Sequence, residues 1–104
     1  MDDRVRRIQA VIAAIPPGQV LSYGEVAVLA GVGSPRLVGR ILAESHGLPW
    51  HRVLRTDGTP AHHLAHRQLE LLRAEGVLAD GQRVNMRKYR WDAVEVLEEP
   101  GLFD

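Results

Sequence analysis

The sequence predicts a mainly α-helical domain with a small β component, arranged as a winged helix-turn-helix. Two short amphipathic segments follow each other across a glycine-containing turn, and further amphipathic segments precede and follow them. An Asp-Gly pair between two short apolar-polar stretches then indicates a β-hairpin after the helices. With 104 residues the chain has the length of one domain, whose core needs neither a disulfide nor a metal.

The first two helices are predicted by apolar spacing and by capping residues. The first covers residues 3–15 and is stopped by PPGQ; its apolar positions recur at helical spacing, at Val5, Ile8, Ile12 and Ile15. The second begins at Ser22, and Glu25 stands three residues later, as in a capping box. Gly31 is placed to end this helix.

The third helix is predicted over residues 34–43, with Ser34 as N-cap and Pro35 at the first helical position. Its buried stripe consists of Leu37, Val38, Ile41 and Leu42. In a helix-turn-helix the second helix usually enters a DNA groove with its amino-terminal residues at the bases or phosphates. Arg36 and Arg40 are four residues apart and share one exposed face. The alternative is an ordinary helical hairpin with solvated arginines.

The second half of the chain is predicted to supply a strand, a helix and the wing. Residues 50–55 read as a strand followed by the turn TDGT, and residues 65–75 as an amphipathic helix closed by Gly76. The pair Asp80-Gly81 is a strong signal for a two-residue hairpin turn. Basic residues lie on or just after this wing: Arg83, Arg87, Lys88 and Arg90.

The charges are unevenly distributed although the formal net charge is zero. Residues 1–91 hold 13 Lys and Arg against eight Asp and Glu, a net charge of +5, whereas residues 92–104 hold five acids and no base. A basic body suggests a polyanionic partner. Twelve of the 13 bases are arginine, the side chain suited to forked phosphate contacts, although coding bias explains the same excess. We expect residues 1–91 to form the domain and residues 92–104 a loosely ordered acidic tail.

The residue inventory excludes several classes of chemistry. The chain has no cysteine, and therefore no disulfide, thiolate or cysteine zinc site. No apolar run is long enough for a membrane helix, and the sequence MDDRVRR does not look like a secretory signal. We therefore expect a soluble cytoplasmic monomer without cofactor, associated with the nucleoid when bound to DNA.

Four segments together carry a resemblance to a known family. SYGEVAVLAG, SPRLVGRIL, PWHRV and LLRAEGV, in this order, closely resemble the DNA-binding domain of the O6-alkylguanine-DNA alkyltransferases, over residues 3–91. Within that family the chain resembles the alkyltransferase-like proteins, in which the reactive cysteine is missing. The transferases have Pro-Cys-His-Arg where this chain has PWHR, so Trp50 takes the place of the cysteine. Because an indole is no nucleophile and no other cysteine exists, covalent alkyl transfer is excluded.

The resemblance implies a non-enzymatic damage sensor. Such a protein binds double-stranded DNA containing O6-alkylguanine, rotates the damaged nucleotide out of the duplex, and signals the lesion to nucleotide excision repair proteins. Tyr23 matches the tyrosine that pushes the phosphate of the flipped nucleotide and lies near the base. Arg36 matches the arginine that fills the gap in the stack, and Gly39 the small residue that allows the recognition helix to approach closely. Ser34 and Arg40 belong to the same DNA-binding face.

The resemblance also assigns the pocket. His51 and Glu75 match the residues that relay a proton from the cysteine in catalytic members, and here we expect them to support the pocket through a hydrogen bond. The carbonyls of Trp50 and Val53 match those that accept the guanine amino group. The loop PAHHLAH departs from the family pattern, and its candidates to face the lesion, together with the preceding turn, are Thr59, His62 and His63.

Several alternatives remain open at this stage. The helix-turn-helix also fits a sequence-specific regulator that reads the major groove without recognising lesions. His51 and Glu75 also fit an enzyme that activates water. Trp50 is either part of the lesion pocket or an apolar plug in the core. His62 and His66 have the spacing of metal ligands, but neither a cysteine nor a paired carboxylate supports a site, so we expect no metal.

Overall fold

The computed structural model of the chain describes residues 2–60 and 62–93. Its helices are α1 (Asp3–Ala14), α2 (Tyr23–Leu29), α3 (Pro35–Glu44), α4 (Ala65–Ala74) and the short α5 (Met86–Tyr89); its strands are β1 (Leu21–Ser22), β2 (Val53–Leu54), β3 (Ala79–Asp80) and β4 (Arg83–Val84). Two 3-10 turns, Trp50–Arg52 and His62–Leu64, complete the list. The mainly helical fold and its first four helices are as the sequence predicts, whereas α5 is an addition.

Local capping determines where the helix-turn-helix begins and turns. Ser22 Oγ accepts a hydrogen bond from the Glu25 amide at 3.1 Å, and Glu25 Oε1 accepts one from the Ser22 amide at 2.9 Å, which completes the predicted capping box. Gly31 follows α2 with a φ of +70°, a left-handed conformation that favours glycine. Ser34 Oγ then accepts from the Leu37 amide at 3.3 Å and starts α3.

Two apolar clusters hold the helices together. The first joins α1 to α2 and α3; its fully buried members include Ile8, Val11, Ile12, Val26, Val38 and Val53. The second lies between β2, α4 and the hairpin, and consists of Val20, Leu54, Leu72, Val77 and Val84. Trp91 and Ala93 are buried in the first cluster. The remainder of the predicted acidic tail, residues 94–104, lies outside the described residues.

The structure contains two small sheets, of which the first connects the two halves of the chain. β1 pairs in parallel with β2, with Leu21 opposite Val53 and Ser22 opposite Leu54. Through this pairing the start of the helix-turn-helix lies beside the segment that follows Trp50. β3 and β4 form the predicted hairpin, and the Val84 amide donates to the Gly58 carbonyl at 2.9 Å, so the wing packs on the turn after β2.

Two local predictions are wrong in detail. Residues 50–55 were expected to form one strand, but residues 50–52 form a 3-10 turn and only residues 53–54 are extended. In a strand His51 and Arg52 would point to opposite faces, whereas the turn brings both to one carboxylate.

The hairpin turn lies one residue later than the predicted Asp80-Gly81. Ala79 is opposite Val84 and Asp80 opposite Arg83, so the two turn residues are Gly81 and Gln82. Gly81 has a φ of +63°, while no non-glycine residue of the described chain has a positive φ. A positive φ at the first turn residue alone is typical of a type II′ turn, which does not require Asp80 to adopt a strained conformation.

Among the described residues, no helix combines the length and the apolar character needed to span a bilayer.

Candidate nucleic-acid interface

Helix α3 presents two exposed arginines that have no ion-pair partner among the described residues. Arg36 and Arg40 are both exposed, and neither makes an ion pair or a side-chain hydrogen bond with residues 2–60 or 62–93. Arginines in this state can donate to phosphates or to base edges without first breaking an internal contact. This face is the strongest candidate for contact with a polyanion.

Tyr23 lies where α2 and α3 come together. Its ring is half-buried against the first apolar cluster, and a Cβ built on Gly39 would lie 4.0 Å from its Cε1 atom. A side chain at position 39 would thus make only ordinary van der Waals contact with the ring, so Tyr23 does not require glycine there. Burial raises the pKa of the Tyr23 phenol, with a smaller opposing effect from Arg55. The hydroxyl therefore remains a hydrogen-bond donor at neutral pH.

Trp50 opens the 3-10 turn and is only half-buried. Its indole meets the ring of His51 edge to face, at a centroid distance of 6.2 Å and an interplanar angle of 84°. Trp50 belongs to neither of the two apolar clusters. This position speaks against the alternative in which the indole fills the core, and leaves part of the ring accessible to a ligand.

Hydrogen bonds to the Glu75 carboxylate hold this turn in place. We call the set formed by Glu75 with His51, Arg52 and Gly18 the Glu75 network. Glu75 Oε2 lies 2.8 Å from His51 Nε2 and accepts from Arg52 Nη2 at 2.7 Å, while Oε1 accepts from Arg52 Nε at 3.0 Å and from the Gly18 amide at 3.1 Å. Hydrogen bonds from Arg52, and then from His51 and Gly18, outweigh burial and lower the pKa of Glu75 to about 2. The carboxylate is therefore ionised at neutral pH.

Sequence reasoning assigned His51 and Glu75 but missed Arg52 and Gln68. Besides binding Glu75, Arg52 donates through Nη1 to the Ile15 carbonyl at 2.9 Å, which ties the turn to the end of α1. Gln68 is fully buried, and its amide donates to the carbonyls of His51 and Val53. One signal was available: Gln68 precedes the buried Leu72 by one helical turn, so a polar residue stands on the inward stripe of α4.

The two carbonyls that the resemblance assigns to the guanine amino group, those of Trp50 and Val53, each accept a hydrogen bond within the protein. Val53 is fully buried, and its carbonyl accepts from Gln68 Nε2 at 2.7 Å. The Trp50 carbonyl accepts from the Val53 amide. Each carbonyl has a second lone pair, so an incoming base would share these acceptors rather than find them free.

The remaining candidates are less closely connected. Thr59 is half-buried and bonds through its amide and hydroxyl to Asp57 within the TDGT turn, at 3.0 and 2.6 Å. His63 is exposed in the 3-10 turn before α4, and the side chain of His62 lies outside the described residues. Ser34 is half-buried as the N-cap of α3. Across the described ranges, no three His, Cys, Asp or Glu side chains form a metal-binding group.

Cavity volume does not locate the interface. An apolar hollow of about 540 Å³ lies between α2 and the C-terminal segment, lined among others by Leu21, Val28 and Trp91. Neither Tyr23 nor Trp50 lines it. The candidate site is therefore defined by the chemistry of the Trp50 turn and the exposed arginines of α3.

Comparison with known proteins gives consistent matches. Residues 3–77 match the family described as 6-O-methylguanine DNA methyltransferase, DNA binding domain. The DNA base-flipping protein of Escherichia coli K12 is 39% identical over 102 residues, covering 88% of this chain and 76% of that protein. Alkyltransferase-like protein 1 of Schizosaccharomyces pombe is 32% identical over 104 residues, covering 88% and 96%.

A solved structure matches the fold at similar coverage. The crystal structure of S. pombe Atl1 in complex with damaged DNA containing O6-carboxymethylguanine superposes with a TM-score of 0.76 at 30% identity. The match covers 88% of this chain and 97% of that one.

Proposed function

We propose that this chain, which belongs to the family of the 6-O-methylguanine DNA methyltransferase DNA-binding domain, is a non-enzymatic sensor of O6-alkylguanine in DNA. Within the family it belongs to the alkyltransferase-like proteins. It binds the duplex through the helix-turn-helix, takes up the flipped lesion beside Trp50, and releases it chemically unchanged. The similarity to a protein solved with O6-carboxymethylguanine DNA and to a base-flipping protein supports this assignment.

One observation carries the proposal: an indole, that of Trp50, opens the turn at the position that the resemblance assigns to the reactive cysteine. His51 and Glu75 remain hydrogen-bonded at 2.8 Å behind Trp50, yet the chain contains no cysteine for them to activate. A half-buried tryptophan offers instead a flat apolar surface on which a base can stack. The turn therefore suits binding of a base and lacks a thiolate for alkyl transfer.

The energetics of flipping fit the residues present. Extruding a base from a duplex costs a few kcal/mol, and stacking of a base on an aromatic returns about 1–3 kcal/mol. In the proposed complex Trp50 supplies this stacking, while Arg36 fills the space that the base has left. Tyr23, held against α3 at Gly39, adjoins the phosphate of the rotated nucleotide. No covalent step is needed to make binding selective.

We further propose that the bound lesion is passed to nucleotide excision repair. A protein that recognises an alkylated base without removing it needs a second system to complete repair, and a stable protein–DNA complex is a suitable signal for that system. In this proposal the chain acts as a cytoplasmic monomer, bound to the nucleoid when it occupies DNA.

The first test is a fluorescence-anisotropy titration of one labelled duplex, with and without a single O6-methylguanine, at matched salt. We expect clearly tighter binding to the methylated duplex and full recovery of O6-methylguanine when the DNA is digested and analysed by mass spectrometry. Equal affinities for both duplexes would favour a regulator instead. Recovery of unmodified guanine or of a free base would show an enzyme.

Variants of Trp50 test the role of the indole. Trp50→Ala is expected to weaken binding to the methylated duplex by about 1–3 kcal/mol and to affect unmodified DNA less, because the stacking surface is lost. Trp50→Phe is the matched control, since it keeps an aromatic face and should retain most of the preference. Equal losses on both duplexes would assign Trp50 to general DNA contact.

The repair step requires its own experiment. Purified excision-repair proteins are given a duplex with one O6-methylguanine, with and without the chain, and incision is followed on gels. Stimulation of incision by the chain, and not by its Arg36→Ala variant, is the expected result. Undiminished lesion binding without any effect on incision would retain the sensor and reject the hand-over.

A further inference from the structure

Gln68 is a fully buried polar side chain that contacts the candidate site from behind. It lies on α4, and its Nε2 atom donates to the Val53 carbonyl at 2.7 Å and to the His51 carbonyl at 3.1 Å. A side-chain amide nitrogen has two hydrogens, so both are used on the same short segment. Through these two hydrogen bonds Gln68 links α4 to the backbone of this segment.

These bonds restrict the segment that carries Trp50. The Trp50 carbonyl accepts from the Val53 amide, and Gln68 then holds the next carbonyl and the one at Val53 itself. Because the carbonyls of Trp50, His51 and Val53 are all held by hydrogen bonds, the direction in which the Trp50 side chain leaves the backbone is restricted as well. The Val53 carbonyl is buried, and loss of a donor to a buried carbonyl is costly, so loss of the amide would favour a rearranged turn.

We propose that Gln68 is a positioning residue for lesion recognition: its buried amide fixes the Trp50–Val53 turn and thereby the orientation in which Trp50 meets a flipped base. Gln68 touches neither DNA nor the lesion in this arrangement; it acts through Trp50. The inference rests on the proposed function, because it assigns to Gln68 the selectivity of that same site. We expect Gln68 to affect the ratio of affinities for damaged and normal DNA. General affinity for DNA should change less, because the arginines of α3 lie on another element.

Two substitutions separate positioning from mere filling of space. Gln68→Met has a similar length and fills the cavity but donates no hydrogen bond, whereas Gln68→Lys supplies donors only. If the amide positions the turn, Gln68→Met lowers the ratio of affinities for methylated and unmodified duplexes about ten-fold, and Gln68→Lys retains more of that ratio. If Gln68 only fills the core, the order is reversed, because a buried apolar side chain is then harmless and a buried ammonium is not.

Leu72→Ala is the matched control for loss of stability. Leu72 is fully buried one turn further along α4 and contacts the second apolar cluster rather than the turn carbonyls. It should lower the melting temperature at least as much as Gln68→Met, because it leaves a cavity. Measured where all variants are folded, it should keep the wild-type affinity ratio.

The fluorescence of Trp50 gives a second readout that does not depend on DNA. In a Trp91→Phe background Trp50 is the only tryptophan, and excitation at the red edge of the absorption band avoids emission from the two tyrosines. Acrylamide quenching and the emission maximum should change in Gln68→Met, where the turn is released, and remain close to wild type in Leu72→Ala. A positioning role requires this change, whereas a contribution to global stability alone does not.

The outcomes separate this inference from the proposed function. If the unmodified chain does not distinguish methylated from normal DNA, the proposed function fails first. If it does, and Gln68→Met keeps both the affinity ratio and the Trp50 emission, the positioning role is wrong and the sensor remains. Should Gln68→Lys fail to fold, Gln68→Met and the emission data decide the question by themselves.

Discussion

The same residue type plays opposite parts in two regions of this molecule. On α3, Arg36 and Arg40 are exposed and make no ion pair with the described residues, so their charge is available to a ligand. Below the Trp50 turn, Arg52 binds both oxygens of Glu75 and the Ile15 carbonyl, so its charge is already neutralised. We infer that the two regions have separate roles: the arginines of α3 contribute affinity for DNA, and the Glu75 network maintains the conformation of the Trp50 turn.

The largest expected effect is that of a substitution at Glu75 on the free energy of unfolding. Glu75→Ala removes the acceptor from Arg52, His51 and the Gly18 amide and leaves a largely buried guanidinium unpaired. We expect the free energy of unfolding to fall by about 2–3 kcal/mol, less than for most fully buried pairs that lose one partner, because both side chains are only part-buried. Urea unfolding measures this change. Glu75→Gln keeps one acceptor oxygen and should lose less, and a loss under about 1 kcal/mol in Glu75→Ala would contradict the network.

Acid should weaken the same network in a defined range. The pKa of Glu75 is lowered from 4.5 to about 2 in the folded chain, so folding is favoured by the ionised form. That contribution is complete above the ordinary pKa and is lost as the pH falls from about 4.5 towards 2. Urea midpoints should fall across this range more steeply for the unmodified chain than for Glu75→Gln. Parallel curves would show that Glu75 does not titrate in this way.

The next largest effect is expected at Arg36, where a substitution should lower the affinity for DNA and leave the free energy of unfolding almost unchanged. Arg36→Ala is expected to weaken binding to both methylated and unmodified duplexes by about 1–3 kcal/mol, because the gap left by a flipped base is no longer filled. The free energy of unfolding should change by no more than about 0.5 kcal/mol, since the side chain has no partner among the described residues. Arg73→Ala, which removes an exposed charge from α4, is the control.

The contrast between the two regions also explains what could be predicted from the sequence. Ser22 with Glu25, and Ser34 with Pro35, are short-range signals, and the structure contains both caps as expected. The exposed arginines follow from the same helical spacing. Residues whose roles depend on neighbours three or four positions away are therefore within reach of sequence reasoning.

The Glu75 network was only partly within reach. Glu75 meets Arg52 and Gly18 across 23 and 57 residues, and no periodic pattern records such contacts. His51 and Glu75 were found through family resemblance, and Arg52 and Gln68 were missed because their partners are backbone carbonyls or belong to another element. The strand predicted at residues 50–55 failed for the same reason, since the shared carboxylate favours a turn there.

The smallest expected effect is at Ser34, where stability through helix capping and affinity through contact with DNA can be tested separately at one residue. As N-cap, Ser34 accepts from the Leu37 amide, so Ser34→Ala should lower the free energy of unfolding by about 1 kcal/mol. Ser34→Asp keeps an acceptor for the cap and should retain stability, but it adds a negative charge beside Arg36 at the start of α3.

If that start faces a phosphate, Ser34→Asp loses affinity for both duplexes although its urea midpoint is unchanged, and the loss diminishes at high salt. If Ser34 is a cap alone and lies away from the DNA, affinity follows the wild type in Ser34→Asp. The pair of variants thus tests the placement of α3 against the duplex with a residue whose structural part is already accounted for. Ser34→Asp binding at wild-type strength would require a different face of α3 to contact the backbone.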